Sequence, residues 1–149
     1  MDPLFPALVR EELDATNIDP ASLVLEITEM TAVAGLEDAR RCVEDLKSLG
    51  CRFGLDDFGV GFSSFDYLKH LHLDCLKIDG SFVRHLPRSP VDQHLVRAMV
   101  EVARKLGLET VAEFVGDAET LRLVKDLGVD YAQGFDAGAP RPAREALTG

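Results

Sequence analysis

Leu55-Asp56-Asp57-Phe58-Gly59-Val60-Gly61-Phe62-Ser63-Ser64, followed by Leu76-Lys77-Ile78-Asp79, is the stretch that decides how this chain is read. An apolar, strand-like run ends in two adjacent carboxylates, then a glycine-rich turn and a serine able to cap a helix. A lysine stands at the matching place on the next strand-like run. Adjacent carboxylates with no neutralising arginine beside them are costly to bury unless a divalent cation lies between them. The pattern predicts a metal site of oxygen ligands at a strand end.

A rhythm extends outward from this stretch. Leu49-Gly50, Leu106-Gly107 and Leu127-Gly128 each close a segment of helical period and open a short apolar run. Glycine supplies the left-handed conformation that ends a helix. The preceding apolar positions predict helices: Leu36, Ala39, Val43, Leu46; then Leu95, Met99, Val102, Leu106; then Leu121, Val124, Leu127. Strands are expected at Leu23 to Thr28, Cys51 to Leu55, Cys75 to Ile78, Leu108 to Ala112 and Val129 to Ala132. Asp2 as cap, Pro3 in the first turn and the apolar positions Leu4, Leu8 and Leu13 suggest an opening helix. The tail from Pro140 reads as irregular.

Short, nearly all-apolar strands alternating with helices imply a parallel sheet with helices outside, an α/β architecture. Polar residues gather at the strand ends: Glu26 and Glu29, Asp56 and Asp57, Lys77 and Asp79, Glu113, and Gln133. In a (β/α) barrel those ends converge on one face, where catalytic groups are found. Helix capping explains one or two acids there, but not a lysine and a glutamine in register with them.

Composition narrows the function. Sixteen Lys and Arg against 26 Asp and Glu leave a net charge of -10, which argues against a nucleic-acid polymer as partner. A phosphate-bearing ligand remains compatible if metal ions mediate the contact. No stretch approaches the length of a membrane span, so no membrane insertion is expected. The 3 cysteines, Cys42, Cys51 and Cys75, form no C-x-x-C pair. They read as small buried hydrophobes in a reducing, cytoplasmic setting. His70 and His72 read as part of a solvated loop rather than a metal pair.

Five linked motifs carry a resemblance. They are Leu23-Val24-Leu25-Glu26-Ile27-Thr28-Glu29, the Asp56-Asp57-Phe58-Gly59 turn with Ser63-Ser64, Leu76-Lys77-Ile78-Asp79, Val111-Ala112-Glu113, and Tyr131-Ala132-Gln133-Gly134-Phe135. In order and spacing they resemble EAL domains, the bacterial cyclic di-GMP phosphodiesterases, through nearly the whole chain. The resemblance implies a TIM-like barrel that uses two Mg²⁺ or Mn²⁺ ions to hydrolyse cyclic di-GMP to pGpG. It implies Glu26, Asp56, Asp57 and Glu113 as metal ligands, with Asp56 bridging both ions and Glu113 acting as ligand or base. Lys77 would contact the attacking water or the phosphate, and Gln133 would hold the water shell. Glu29 would brace the loop from Asp57 to Ser64 without touching metal.

Set against that family, residues 1–149 read as a single EAL-type domain lacking the N-terminal strands, with about five of the usual eight. Two implied ligands, a glutamate and an asparagine on the preceding strands, have no counterpart here. Glu145-Ala146-Leu147 matches the family's signature letters but lies beyond the last strand. Val60 replaces a usual threonine, Phe62 a tyrosine, Phe114 a glycine, and Gly116 the second glutamate of a Glu-x-x-Glu motif. Two readings follow: a cyclic di-GMP phosphodiesterase impaired in this chain, or an inactive module binding cyclic di-GMP or a protein partner. Five strands do not close a barrel, so a homodimer or a missing N-terminal barrel segment is expected to cover the open edges.

Overall fold

The structure, a computed structural model, describes residues 2, 4–61 and 65–134. The expected glycines end their helices: Gly50, Gly107 and Gly128 have φ of 95°, 74° and 86°. Strands β1 (Val24–Thr28), β2 (Arg52–Phe58), β3 (Cys75–Ile78), β4 (Glu109–Ala112) and β5 (Tyr131–Ala132) follow in chain order. They form one parallel sheet in the order β1-β2-β3-β4-β5. Among the described residues, β1 and β5 each pair on one side only. The helices are α1 (Phe5–Thr16), α2 (Glu29–Ala34), α3 (Leu36–Ser48), α4 (Gly80–Val83), α5 (Pro90–Leu106) and α6 (Ala118–Asp126). The architecture is α/β and TIM-barrel-like, with five parallel strands.

Strand alternation sorts the side chains. Phe53, Leu55, Leu76, Ile78 and Ala112 are buried in the core with Val43 and Leu46 of α3 and Val96 and Val100 of α5. Glu26, Arg52, Asp56, Lys77 and Glu109 take the opposite, inner face of the sheet. Cys42, Cys51 and Cys75 are free and buried, as expected of small hydrophobes.

Several expectations need correction. Strand β2 does not stop at Leu55 but runs on through Asp56 and Asp57 to Phe58, because the ladder resumes at Phe58↔Ile78 after an irregularity. Strand β5 starts at Tyr131 rather than Val129, because the Asp130 carboxylate replaces the ladder there. Asp130 Oδ2 accepts from both Thr110 N and Thr110 Oγ1 at 2.8 Å. Asp74 makes a similar staple, accepting from Phe53 N and Lys47 Nζ at 2.7 Å each. On α5 the buried set is Val96, Met99, Val100 and Ala103, not the stripe through Leu95 and Leu106, which are exposed. That set follows the i, i+3, i+4, i+7 rule and faces the sheet squarely. Helix α1 begins at Phe5, with Pro6 in its first turn; Asp2 Oδ1 accepts from Leu4 N at 2.9 Å, outside the helix. Val9 is buried on α1 while Leu4 and Leu8 are exposed. Pro3, Phe62, Ser63, Ser64, Phe135, the tail from Pro140 and Glu145-Ala146-Leu147 lie outside the described residues.

Candidate active site

Two successive strand residues normally point to opposite faces. Asp57 escapes this rule by taking φ of 55°, a left-handed conformation, at the irregularity in β2. The kink brings Asp57 to the side where Asp56 and Glu113 stand. One carboxylate oxygen from each of Asp56, Asp57 and Glu113 lies within 4.8 Å of the others. All donors are oxygen, which suits hard divalent cations such as Mg²⁺ or Mn²⁺ better than zinc.

Lys77 organises the inner layer. Its Nζ lies 3.0 Å from Glu26 Oε2, 3.1 Å from Asp56 Oδ1 and 3.0 Å from Glu113 Oε1. Burial disfavours the charged lysine, but its ion pairs with Glu113, Glu26 and Asp56 outweigh it and hold the ammonium above its ordinary pKa. Burial pushes the Glu113 carboxyl up; Lys77 opposes this, and the charges of Asp56 and Asp57 add to it. Asp57 is also raised, by burial and then by Asp56 and Asp79. Asp56 Oδ1 is the telling atom. It is buried and, though within ion-pair distance of Lys77, has no hydrogen-bond donor aligned on it among the described residues. A buried carboxylate oxygen in that state suits a cation.

Glu26 lies one layer lower. It pairs with Lys77 but is outside the group formed by Asp56, Asp57 and Glu113. Gly54 sits level with it, and a Cβ there would fall 2.8 Å from Cys75 Sγ. Gln133 follows β5 and lines, with Glu26 and Lys77, a cavity of about 210 Å³ on the sheet's inner face.

Glu29 is 2% exposed, unusual for a carboxylate. Its Oε2 accepts from Gly59 N at 2.9 Å and Gly61 N at 3.2 Å, and its Oε1 from Tyr67 OH at 2.9 Å. The carboxylate thus pins the turn after Asp57 from below. Asp79 caps α4 by accepting from Ser81 N at 2.9 Å. Burial would raise its carboxyl, but the bonds from Ser81 and Gly80 and the charge of Arg84 hold it below its usual value.

Sequence reading missed the layer beneath. Arg52 pairs with Glu109 Oε2, and Tyr131 OH donates to Glu109 Oε1 at 3.1 Å. The signal was there in period two: Arg52 stands four residues before Asp56, Glu109 four before Glu113, and Tyr131 two before Gln133. It also missed Tyr67 as the partner of Glu29. His70 lies 3.6 Å from Asp66, and both His70 and His72 are exposed and away from the carboxylate layer.

A parallel, barrel-like sheet with acidic oxygens gathered at one rim defines a class: α/β proteins with a site fit for divalent metal. Comparison with known proteins narrows it. The pattern of the EAL domain family matches residues 1–140. Cyclic di-GMP phosphodiesterase PdeF of Escherichia coli K12 is 36% identical over 143 residues, covering 96% of this chain and 19% of that protein. Cyclic di-GMP phosphodiesterase PdeB of Shewanella oneidensis is 40% identical over 126 residues, covering 85% and 15%. The EAL domain of Mycobacterium smegmatis DcpA superposes with a TM-score of 0.92 at 34% identity, covering 99% of this chain and 66% of that one. The FimX EAL domain of Pseudomonas aeruginosa, solved bound to c-di-GMP, gives 0.84 at 30% identity, covering 90% and 55%. The chain belongs to the EAL domain family. It spans less than a fifth of the length of the two phosphodiesterases.

Proposed function

We propose that this chain provides the metal-binding and phosphate-handling part of a phosphodiesterase that hydrolyses cyclic di-GMP to pGpG. The observation that carries the reading is the all-oxygen group Asp56, Asp57 and Glu113, with Asp56 Oδ1 buried and lacking an aligned donor. Two Mg²⁺ or Mn²⁺ ions held there would polarise the scissile phosphodiester and make water a better nucleophile. The chain's own groups do the rest. Asp56, Asp57 and Glu113 would hold the ions, with Glu26 contributing from the lower layer. Lys77 offers a permanent positive charge to a phosphate oxygen or to the attacking water. If Glu113 serves as base rather than ligand, its carboxyl, raised by burial, would suit it to take a proton. Gln133 orients water at the open end of the layer, and Glu29 keeps Asp57 in place by holding Gly59 and Gly61.

A second reading, a module that binds cyclic di-GMP without hydrolysing it, is favoured by Gly116 in place of the second glutamate of Glu-x-x-Glu. The one-sided pairing of β1 and β5 supports an assembly in which a further barrel segment or a second copy covers those edges. Incubation with cyclic di-GMP and Mn²⁺, followed by chromatography for pGpG, tests the reading. Robust pGpG that disappears with EDTA supports hydrolysis; binding without pGpG supports the second reading; neither result would refute both.

A further inference from the structure

Phe114 directly follows Glu113, and its backbone has φ of 55°. That region is costly for a bulky side chain, and an outlier there warrants a functional explanation. The ring is 50% exposed, so burial does not account for it. Its place is prepared by Gly80: a Cβ at that residue would fall 2.2 Å from Phe114 Cδ2. Above the ring lies the Arg84 guanidinium, 4.0 Å from the centroid. Arg84 is itself exposed.

These residues stand at the site's edge. Phe114 directly follows Glu113, Asp79 lines one cavity with Asp57, and Asp79 and Arg84 cap the two ends of α4. The Lys77 ammonium is buried among Glu26, Asp56 and Glu113. Arg84 adds a second positive charge, exposed to solvent.

We propose that Phe114 and Arg84 form a recognition platform for the substrate, the ring stacking on a purine base and the guanidinium meeting the adjoining phosphate. The inference rests on the cyclic di-GMP reading and assigns specificity to residues outside the metal layer. A base has a π-face that stacks on an aromatic ring, and an arginine beside it adds a cation–π contribution and a fork for phosphate oxygens. Glycine at Phe114 would relax the backbone but remove the platform. Recognition offsets the strain.

Calorimetric titration of the full chain with cyclic di-GMP in the presence of Mn²⁺ tests this, with Mn²⁺ alone titrated in parallel. Phe114→Gly is expected to weaken cyclic di-GMP binding at least about five-fold, with Arg84→Ala weakening it in the same direction. Phe114→Tyr, which keeps the ring, is expected to stay within about two-fold of the parent. Mn²⁺ affinity is expected to be unchanged in all three. Parent-like cyclic di-GMP affinity in Phe114→Gly and Arg84→Ala would overturn the platform while leaving the proposed function standing. Absence of cyclic di-GMP binding by the parent would overturn both. Loss of Mn²⁺ affinity in Phe114→Gly together with Phe114→Tyr would overturn the platform as well, by showing that the residue serves the metal layer.

Discussion

Replacing Lys77 by methionine keeps much of the side chain's length and removes the ammonium that Glu26, Asp56 and Glu113 share. The lysine side chain is 9% exposed and Glu113 12%, whereas Asp56 is 26% and Glu26 40% exposed. Removing one partner of a buried ion pair costs about 3–5 kcal/mol, since the other charge is left without compensation. Water reaching Glu26 and Asp56 places Lys77→Met near the lower end, at about 3 kcal/mol. For a chain of this size each kcal/mol moves the melting temperature by about 2–4 °C, so a fall of about 6–12 °C is expected in EDTA. The same carboxylates, freed of their lysine, have more affinity for a divalent cation. Saturating Mn²⁺ should therefore raise the melting temperature of Lys77→Met by more than it raises that of the parent. Thermal unfolding by calorimetry, with EDTA and with Mn²⁺, measures both. A drop under 2 °C, or a Mn²⁺ shift no larger than the parent's, would refute the view of Lys77 as the internal counter-charge of the carboxylate layer.

Other perturbations probe separate parts of the site. Asp56→Asn should weaken Mn²⁺ binding more than Asp57→Asn, because Asp56 carries a buried carboxylate oxygen while the Asp57 side chain is more exposed; calorimetry giving the reverse order would contradict that reasoning. Glu29→Gln puts an amide among three donors, Gly59 N, Gly61 N and Tyr67 OH, and should cost about 1–3 kcal/mol in denaturant unfolding. Burial first, then Glu29, raises the Tyr67 hydroxyl above its ordinary pKa. The folded state then keeps a proton that the unfolded chain loses above about pH 10, so stability falls as pH rises beyond that value. Tyr67→Phe should lack this part of the decline, visible as a flatter stability profile between pH 9 and 11 than the parent's. Gly80→Ala should destabilise the parent but be tolerated in Phe114→Gly, a coupling that a double-mutant cycle in urea would detect.

Much of this was legible in the chain. Strands written as short apolar runs, each closed by a charged or amide residue, gave the parallel order and the rim, since burial on the helix side leaves only the other face for charge. The height of each group was harder to read. Glu26 is the third residue of β1 and Lys77 the third of β3, not strand-end residues, yet both join the layer because side-chain length makes up the difference. In sequence Asp57 is only a second acid in a row; the left-handed turn that gives it a common target with Asp56 arises at the irregularity in the pairing with β3. The Arg52, Glu109 and Tyr131 layer escaped notice because its partners are far apart in sequence and meet only across the sheet. On α5, neighbouring apolar stripes compete in the sequence, and only docking on the sheet selects Val96 and Val100 over Leu95 and Leu106.

The two aspartate staples lie at the sheet's end opposite the rim. Asp74 joins the start of β2 to α3, and Asp130 joins the start of β5 to β4. Each sets how far one strand slides past the next before any rim residue comes into play. A slip by a single residue would turn Lys77 or Glu113 away from the inner face and dismantle the layer. Alignment of Asp56, Lys77 and Glu113 is thus fixed at the sheet's foot by Asp74 and Asp130, which stand outside the carboxylate group. Loops at the opposite end are left free to diverge: Phe114 and Gly116 can replace the family's usual residues without disturbing the alignment of Asp56, Lys77 and Glu113.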